Sequence, residues 1–185
     1  MLPAFLVLTL AAAETLHIVP APDARFALEI EKTGLMRGKK HVFLFERYKG
    51  TVLYDRDQPE NSRVSLTIES ASAVCTDTWV SDKDRSKIQE YALHDMLAVE
   101  KHREITFSST RVISKEPDRF EVQGSLTIRG IAKPLTVEVS RKPGGIFEGS
   151  SQFKMTDYGL KPPSAALGLI GTKDLMTVSF HLRAQ

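Results

Sequence analysis

Five histidines, one cysteine and one tryptophan are the residues of this chain best suited to chemistry, and their spacing limits what they can do. His17, His41, His94, His102 and His181 form no His-x-His or His-Glu-x-x-His pair, the spacings that set two imidazoles on one metal ion. His94 and His102 could meet in space, with Asp95 adjacent, and a solvated pair suits them better than a metal site. Asp55, Asp57 and Glu60 make an acidic turn without the glycine and ligand spacing of a calcium loop, so it reads as a polar hairpin loop. No Gly-x-Ser-x-Gly elbow presents a serine as nucleophile. The glycines form no phosphate-cradling run. Cys75 has no second cysteine to pair with and is expected as a buried thiol. No residue can be named for catalysis, and the chain reads as a non-enzyme with no metal site. Trp79 lies four residues after Cys75, where it can plug a barrel end or line its mouth.

Charge excludes one further class. The 185 residues carry 25 Lys+Arg against 23 Asp+Glu, without the basic stripe of a nucleic-acid binder. The cluster Arg37-Gly38-Lys39-Lys40-His41 reads as a solvated turn, with contact to a phosphate or lipid headgroup as the alternative. Leu2 to Ala13 is an apolar run with small residues at Ala11 and Ala13, the pattern of a secretory signal cleaved after residue 13. No Lys or Arg precedes it, so either the signal starts further upstream or the start amine supplies the charge. The run is too short to span a bilayer as a helix, which takes about 20 residues. No other segment is apolar enough to cross. The expectation is a periplasmic or secreted protein with residues 14–185 as one domain.

The elements that must position these residues are strands. Phe26, Leu28 and Ile30 alternate with polar or small neighbours, as do Val64, Leu66 and Ile68. Phe120, Val122, Gly124, Leu126 and Ile128 keep one parity, followed by Leu135, Val137 and Val139, and later by Met176, Val178, Phe180 and Leu182. Period-two alternation gives each strand one apolar and one wet face, the pattern of an antiparallel sheet around one core. Turn residues fall at Asp55 to Asn61, Glu116 to Asp118 and Pro143-Gly144-Gly145. Val42 to Phe45 is apolar on both parities, so Phe43 and Phe45 compete with Val42 and Leu44 for the inward side. Such a strand is covered on both faces, by a helix or by a second subunit, and it hints at a homodimer. One amphipathic helix is expected over about residues 82–98. Ser81 is its N-cap and Ile88, Ala92 and Met96 are its apolar stripe. The expected fold is all-β, an antiparallel barrel of about eight strands with that helix over an opening.

One segment is more specific. Gly124-Ser125-Leu126-Thr127-Ile128-Arg129-Gly130, continuing through Pro134 to Val139, resembles the strand-turn-strand signature of the YceI family. Gly130 suits a turn conformation closed to other residues, and Pro134 suits the start of the next strand. Glu104 to Thr110 is similar to the family's post-helix strand, Asp157-Tyr158-Gly159 to its Asp-aromatic-Gly turn, and Gly50-Thr51-Val52 to an early turn. The likeness runs from about Phe26 to Leu182. It departs from the family at the helix, where Lys87-Ile88-Gln89-Glu90-Tyr91 replaces a charged motif, and at Met155, where an arginine is usual.

The resemblance implies a lipocalin-like barrel, exported, holding a polyisoprenoid or quinone-like lipid in an apolar tunnel and needing no other cofactor. Parity and resemblance together put Leu28, Phe43, Phe45, Leu66, Ile68, Phe107, Leu126, Ile128, Val137, Phe153 and Phe180 in the lumen as ligand-binding residues, with Trp79 as a further candidate. The partner expected is an apolar small molecule or lipid. The apolar segment Leu160 to Gly171 is either a lid or a loop packed outside.

Overall fold

Alternation produces one continuous antiparallel sheet. The computed structural model describes residues 13–185, so the signal-like segment, except Ala13, lies outside the described residues. The strands are β1 (Glu14–Ile18), β2 (Arg25–Gly34), β3 (Lys40–Phe45), β4 (Tyr48–Tyr54), β5 (Arg63–Glu69), β6 (Ala73–Cys75), β7 (Glu104–Glu116), β8 (Arg119–Ile128), β9 (Ile131–Lys142), β10 (Ile146–Lys154), β11 (Ser164–Ala165) and β12 (Ile170–Arg183). Helix α1 (Asp82–Glu90) falls between β6 and β7. The pairing order is β1-β4-β5-β7-β8-β9-β10-β12-β2-β3-β6, with β11 off this path on β12.

Twelve strands replace the expected eight or so; bends account for half of the difference, and the short strands β1 and β11 for the rest. β3 runs into β4 through Glu46 and Arg47, and β5 into β6 through a tight turn at Ser70–Ser72. Pairing carries across that corner, because Glu46 N donates to Ser72 O (3.2 Å) and Glu69 N to Arg47 O (2.9 Å). The sheet also curls onto itself. Ile18 bridges Ala184, and His17 and Gln185 exchange backbone hydrogen bonds of 2.7 and 3.1 Å. This joins β1 to the chain leaving β12, and closes a ring of β1, β4, β5, β7, β8, β9, β10 and β12.

Parity holds where it was clearest. Phe120, Val122, Gly124, Leu126 and Ile128 of β8 are all buried, and the residues between them are half-buried. The β8–β9 turn is a two-residue hairpin, Arg129 and Gly130 both having positive φ (52° and 75°), the geometry that matches strand twist. Pro134 lies inside β9 rather than at its start, opposite Ser125. It is tolerated there because β10 pairs with β9 only from Glu138 onward, so this part of β9 is an edge. In β3, Phe43 and Phe45 turn inward and are buried. Val42 and Leu44 face out, half-buried beside Val74, and the single chain leaves them so.

The helix begins as expected and then changes. Ser81 Oγ accepts from Asp84 N (3.1 Å) and donates to Asp84 Oδ2 (2.8 Å), capping the first turn. After Glu90 the α-helix gives way to a π-helical turn over Tyr91–Leu97, ending at Ala98 in the left-handed region (φ 49°). The uniform helix over 82–98 is thus corrected. Winding of the i→i+5 type stacks residues five apart. It aligns Tyr91 with Met96 and Ala92 with Leu97, and all four line the barrel interior. Gln89 pins the helix to β6, its Nε2 donating to Ala73 O and its Oε1 accepting from Cys75 N, both at 2.6 Å. Arg129 holds the other end by donating to Met96 O (3.4 Å).

Gly124 makes room for an aromatic ring. A Cβ there would lie 2.5 Å from Phe107 Cζ and 2.5 Å from Ser108 O. Gly124→Val must displace that ring. It is expected to lower unfolding free energy by about 1–3 kcal/mol, the usual cost of overpacking, measured as a lower urea midpoint at unchanged slope.

Candidate functional site

The inward faces do not meet at the barrel axis. They enclose a cavity of about 410 Å³, within the range of sites for small molecules. Its walls come from every strand but β11 and from the underside of the helix. Leu28, Phe43, Phe45, Leu66, Ile68, Phe107, Leu126, Ile128, Val137, Phe153 and Phe180 all lie on these walls, so eleven of the twelve candidate residues are brought together. Phe26 stacks on Phe180 at 6.1 Å and meets Phe45 edge-on at 5.9 Å, forming an aromatic floor for part of the lumen.

Trp79 is the exception. Its Nε1 donates to Lys40 O (2.8 Å), and its ring lies 5.3 Å from that of His41, placing it outside the cavity wall. It packs behind a residue that does reach the lumen. His41 lines the cavity and its Nδ1 lies 2.5 Å from Oδ2 of Asp77, a buried carboxylate. The other oxygen of Asp77 accepts from Val42 N (2.9 Å). A carboxylate held by a backbone amide and an imidazole fixes the ring's orientation. Sequence reasoning placed His41 in a solvated basic turn and did not single out Asp77. No spacing rule links a strand residue to one in the connection after β6, and the signal that could have found His41 is the parity of β3, which puts it on the same face as Phe43 and Phe45.

The polar side chains on the wall gather at one end. Lys32 and Thr172 pair across β2 and β12, His41 opens β3, and Lys87 and Tyr91 come from the helix. Burial pulls the Lys32 ammonium below the ordinary lysine range, with the Asp77 carboxylate opposing. Ser62 lines the wall elsewhere, its Oγ already accepting from Asp55 N (3.0 Å). His94, which could meet His102 in space, is clasped by Glu90 and Glu100 on the outer surface, and the Glu100 hydrogen bond raises its pKa.

The Asp157-Tyr158-Gly159 turn fills a slit. β9 and β10 separate below Glu138, and Met155, Tyr158 and Leu160 are buried in the gap, Tyr158 edge-on to Phe153 at 5.6 Å. Met155 itself lines the cavity, so the usual arginine is replaced by an apolar wall residue. Burial pushes the Tyr158 phenol up to about 12. The segment from Leu160 to Gly171 divides its residues between the wall and solvent. Leu160 is buried and Pro163 lines the cavity, whereas Leu167 and Leu169 stand in solvent.

A closed antiparallel barrel with an apolar lumen and a helix beside its mouth is lipocalin-like. Within that class the chain belongs to the YceI-like domain family, whose model matches residues 23–184. A UPF0312 protein of Azotobacter vinelandii is 30% identical over 139 residues, covering 68% of this chain and 69% of that one. One from Pseudomonas putida is 30% identical over 130 residues, and the match spans 64% of its length. Among solved structures, Burkholderia cenocepacia BcnA superposes with a TM-score of 0.69 at 19% identity, over 89% of this chain and 98% of that chain. Campylobacter jejuni YCEI protein gives 0.54 at 19% identity, over 76% and 82%. At these identities the structures speak for the fold.

Cys75 is buried as expected, and burial pushes its thiol up to about 11. The thiolate is the reactive form, so a raised pKa suppresses it at neutral pH. At pH 8 maleimide should label the folded protein far more slowly than the urea-unfolded chain, and the folded rate should climb only as pH approaches 11. Equal labelling of the two states would show an accessible thiol. Asp77→Asn should destabilise by about 1–3 kcal/mol, because a buried acceptor facing His41 is replaced by an amide, read as a lower urea midpoint.

Proposed function

We propose that this is an exported lipid-binding protein that holds an isoprenoid or other long apolar chain in its lumen, with the headgroup at the Lys32, His41, Lys87 and Thr172 rim. The observation that carries this reading is the cavity. About 410 Å³ remains open inside a wall that is apolar apart from that rim, Ser62 and the two tyrosines Tyr54 and Tyr91. A barrel serving only as a structural shell gains nothing from such a void, since empty apolar space forfeits packing contacts. Membership of the YceI-like family supports the same reading. An enzyme on a lipid-like substrate is less well supported. The His41–Asp77 pair at the rim is a positioned imidazole, but the nearby Cys75 thiol is held neutral by burial. Export rests on the Leu2 to Ala13 run. Among the described residues no helix is long and apolar enough to cross a membrane.

Apolar burial fixes how affinity should grow with chain length. Each buried methylene contributes about 0.8 kcal/mol, or about fourfold in affinity. A series of saturated alkyl chains bearing one headgroup should tighten by roughly that factor per carbon until the lumen is full, then level off. Native mass spectrometry of protein purified from its own host should show a co-purifying apolar molecule released by solvent extraction. An empty protein in repeated preparations, with no length dependence for added chains, would leave the ligandless shell as the answer.

A further inference from the structure

The three most exposed large apolar side chains described are Leu167 (106%), Leu35 (76%) and Leu169 (59%), and they sit on two adjoining tips. Leu35 belongs to the β2–β3 turn, Leu167 and Leu169 to the β11–β12 connection, and Leu35 N donates to Leu169 O at 3.0 Å. Ala166 and Leu167 both adopt left-handed backbone (φ 51° and 56°), which side chains disfavour, and this turn holds Leu167 fully in solvent. Lys32 and Thr172 pair at the cavity rim, and Gly34 pairs with Ile170 two residues further on. At about 3.3 Å per residue the leucines therefore stand roughly 10 Å beyond the opening.

The two segments that carry them bear charge of one sign. No acidic residue occurs between Glu31 and Glu46, or between Asp157 and Asp174. Glu29 and Glu31 pair with Lys40 and Lys173 at 2.8 and 2.7 Å, while Arg37, Lys39 and Lys161 are exposed and make no salt bridge among the described residues.

We propose that these tips are a membrane-docking surface, which presses the cavity mouth against a bilayer containing anionic lipid. The leucines enter the boundary between headgroups and acyl chains, and Arg37, Lys39 and Lys161 remain at headgroup level against the negative surface. Single leucines on narrow tips suit insertion between lipids better than they suit a flat protein partner. A second copy packed tip to tip about a two-fold axis would set Arg37 and Lys39 against themselves. The surface stands on exposure and charge, so it does not depend on what the cavity holds.

Flotation with vesicles of phosphatidylcholine, alone or mixed with phosphatidylglycerol, tests it. The expected result is binding to the mixed vesicles that weakens with added salt. Leu167→Ser with Leu169→Ser should weaken it by at least about tenfold, as should Arg37→Glu with Lys39→Glu. Thermal midpoint and alkyl-chain binding in vesicle-free solution should stay unchanged. Absence of vesicle binding, or equal binding by the leucine variant, overturns the proposal. So does a dimer in sedimentation velocity that the leucine variant dissolves, which would assign the tips to a second copy.

Discussion

Closure of the sheet is the constraint on which everything else here depends. A curled sheet leaves two edges of unpaired backbone donors and acceptors, and an apolar inner face that water would otherwise reach. Here the short strand β1 meets the chain leaving β12, where His17 and Gln185 exchange backbone hydrogen bonds. The contact is brief, but it is backed by side chains. Leu16, Ile18, Leu182 and Ala184 are buried in the same core as Phe26 and Tyr48. Closure therefore makes an inside, and eleven strands give that inside an apolar lining.

Closure is imperfect in two places, and the non-strand parts of the chain answer to those places. Where β6 ends early, the helix spans from its Gln89 contacts on β6 to the Arg129 contact on the β8–β9 hairpin. Where β9 and β10 diverge, the turn carrying Tyr158 enters the slit, anchored by Asp174 accepting from Thr156 N (2.9 Å) and Thr156 Oγ1 (2.7 Å). Both repairs add apolar surface to the wall and leave the middle open. The rings of Phe107 and Phe180 take the space a Cβ would occupy at Gly124 and Gly149, and a volume of about 410 Å³ stays open between the walls.

This division also explains what could be read from the sequence. Wall residues such as Leu126, Ile128 and Val137 follow from period two, which fixes the facing of a whole strand at once. The Ser81 cap follows from a local rule of three residues. The corner between β3 and β4 was hidden, since nothing in Glu46-Arg47 reads as a break, and the strand count suffered for it. The π-helical turn was hidden because its apolar stripe suits α-helical spacing as well. Trp79 was misplaced for a related reason. Its large apolar ring favours a lumen, but its N–H needs an acceptor, and Lys40 O offers one on the outer side. The Asp77–His41 contact joins residues 36 apart in sequence, beyond the reach of any local pattern.

The asymmetry of the lumen bears on the ligand proposed for it. At the end away from the helix, Tyr54 meets Phe120 edge-on at 6.3 Å, and the Arg141 guanidinium lies 5.0 Å over the Tyr54 ring, so that end is filled by protein. Ser62, on the wall near there, has its hydroxyl engaged by a backbone amide. Lys32, His41, Lys87 and Thr172 cluster at the opposite end, and Lys32 is short of solvent. A polar head driven to that end would lose its hydration against the Tyr54 and Phe120 rings, which costs more than several methylenes return. A head at the rim keeps contact with water and with Lys32, whose own desolvation it relieves. The proposed amphiphile therefore has one favourable orientation, tail inward and head beside Lys32, and that orientation follows from the wall before any particular ligand is named.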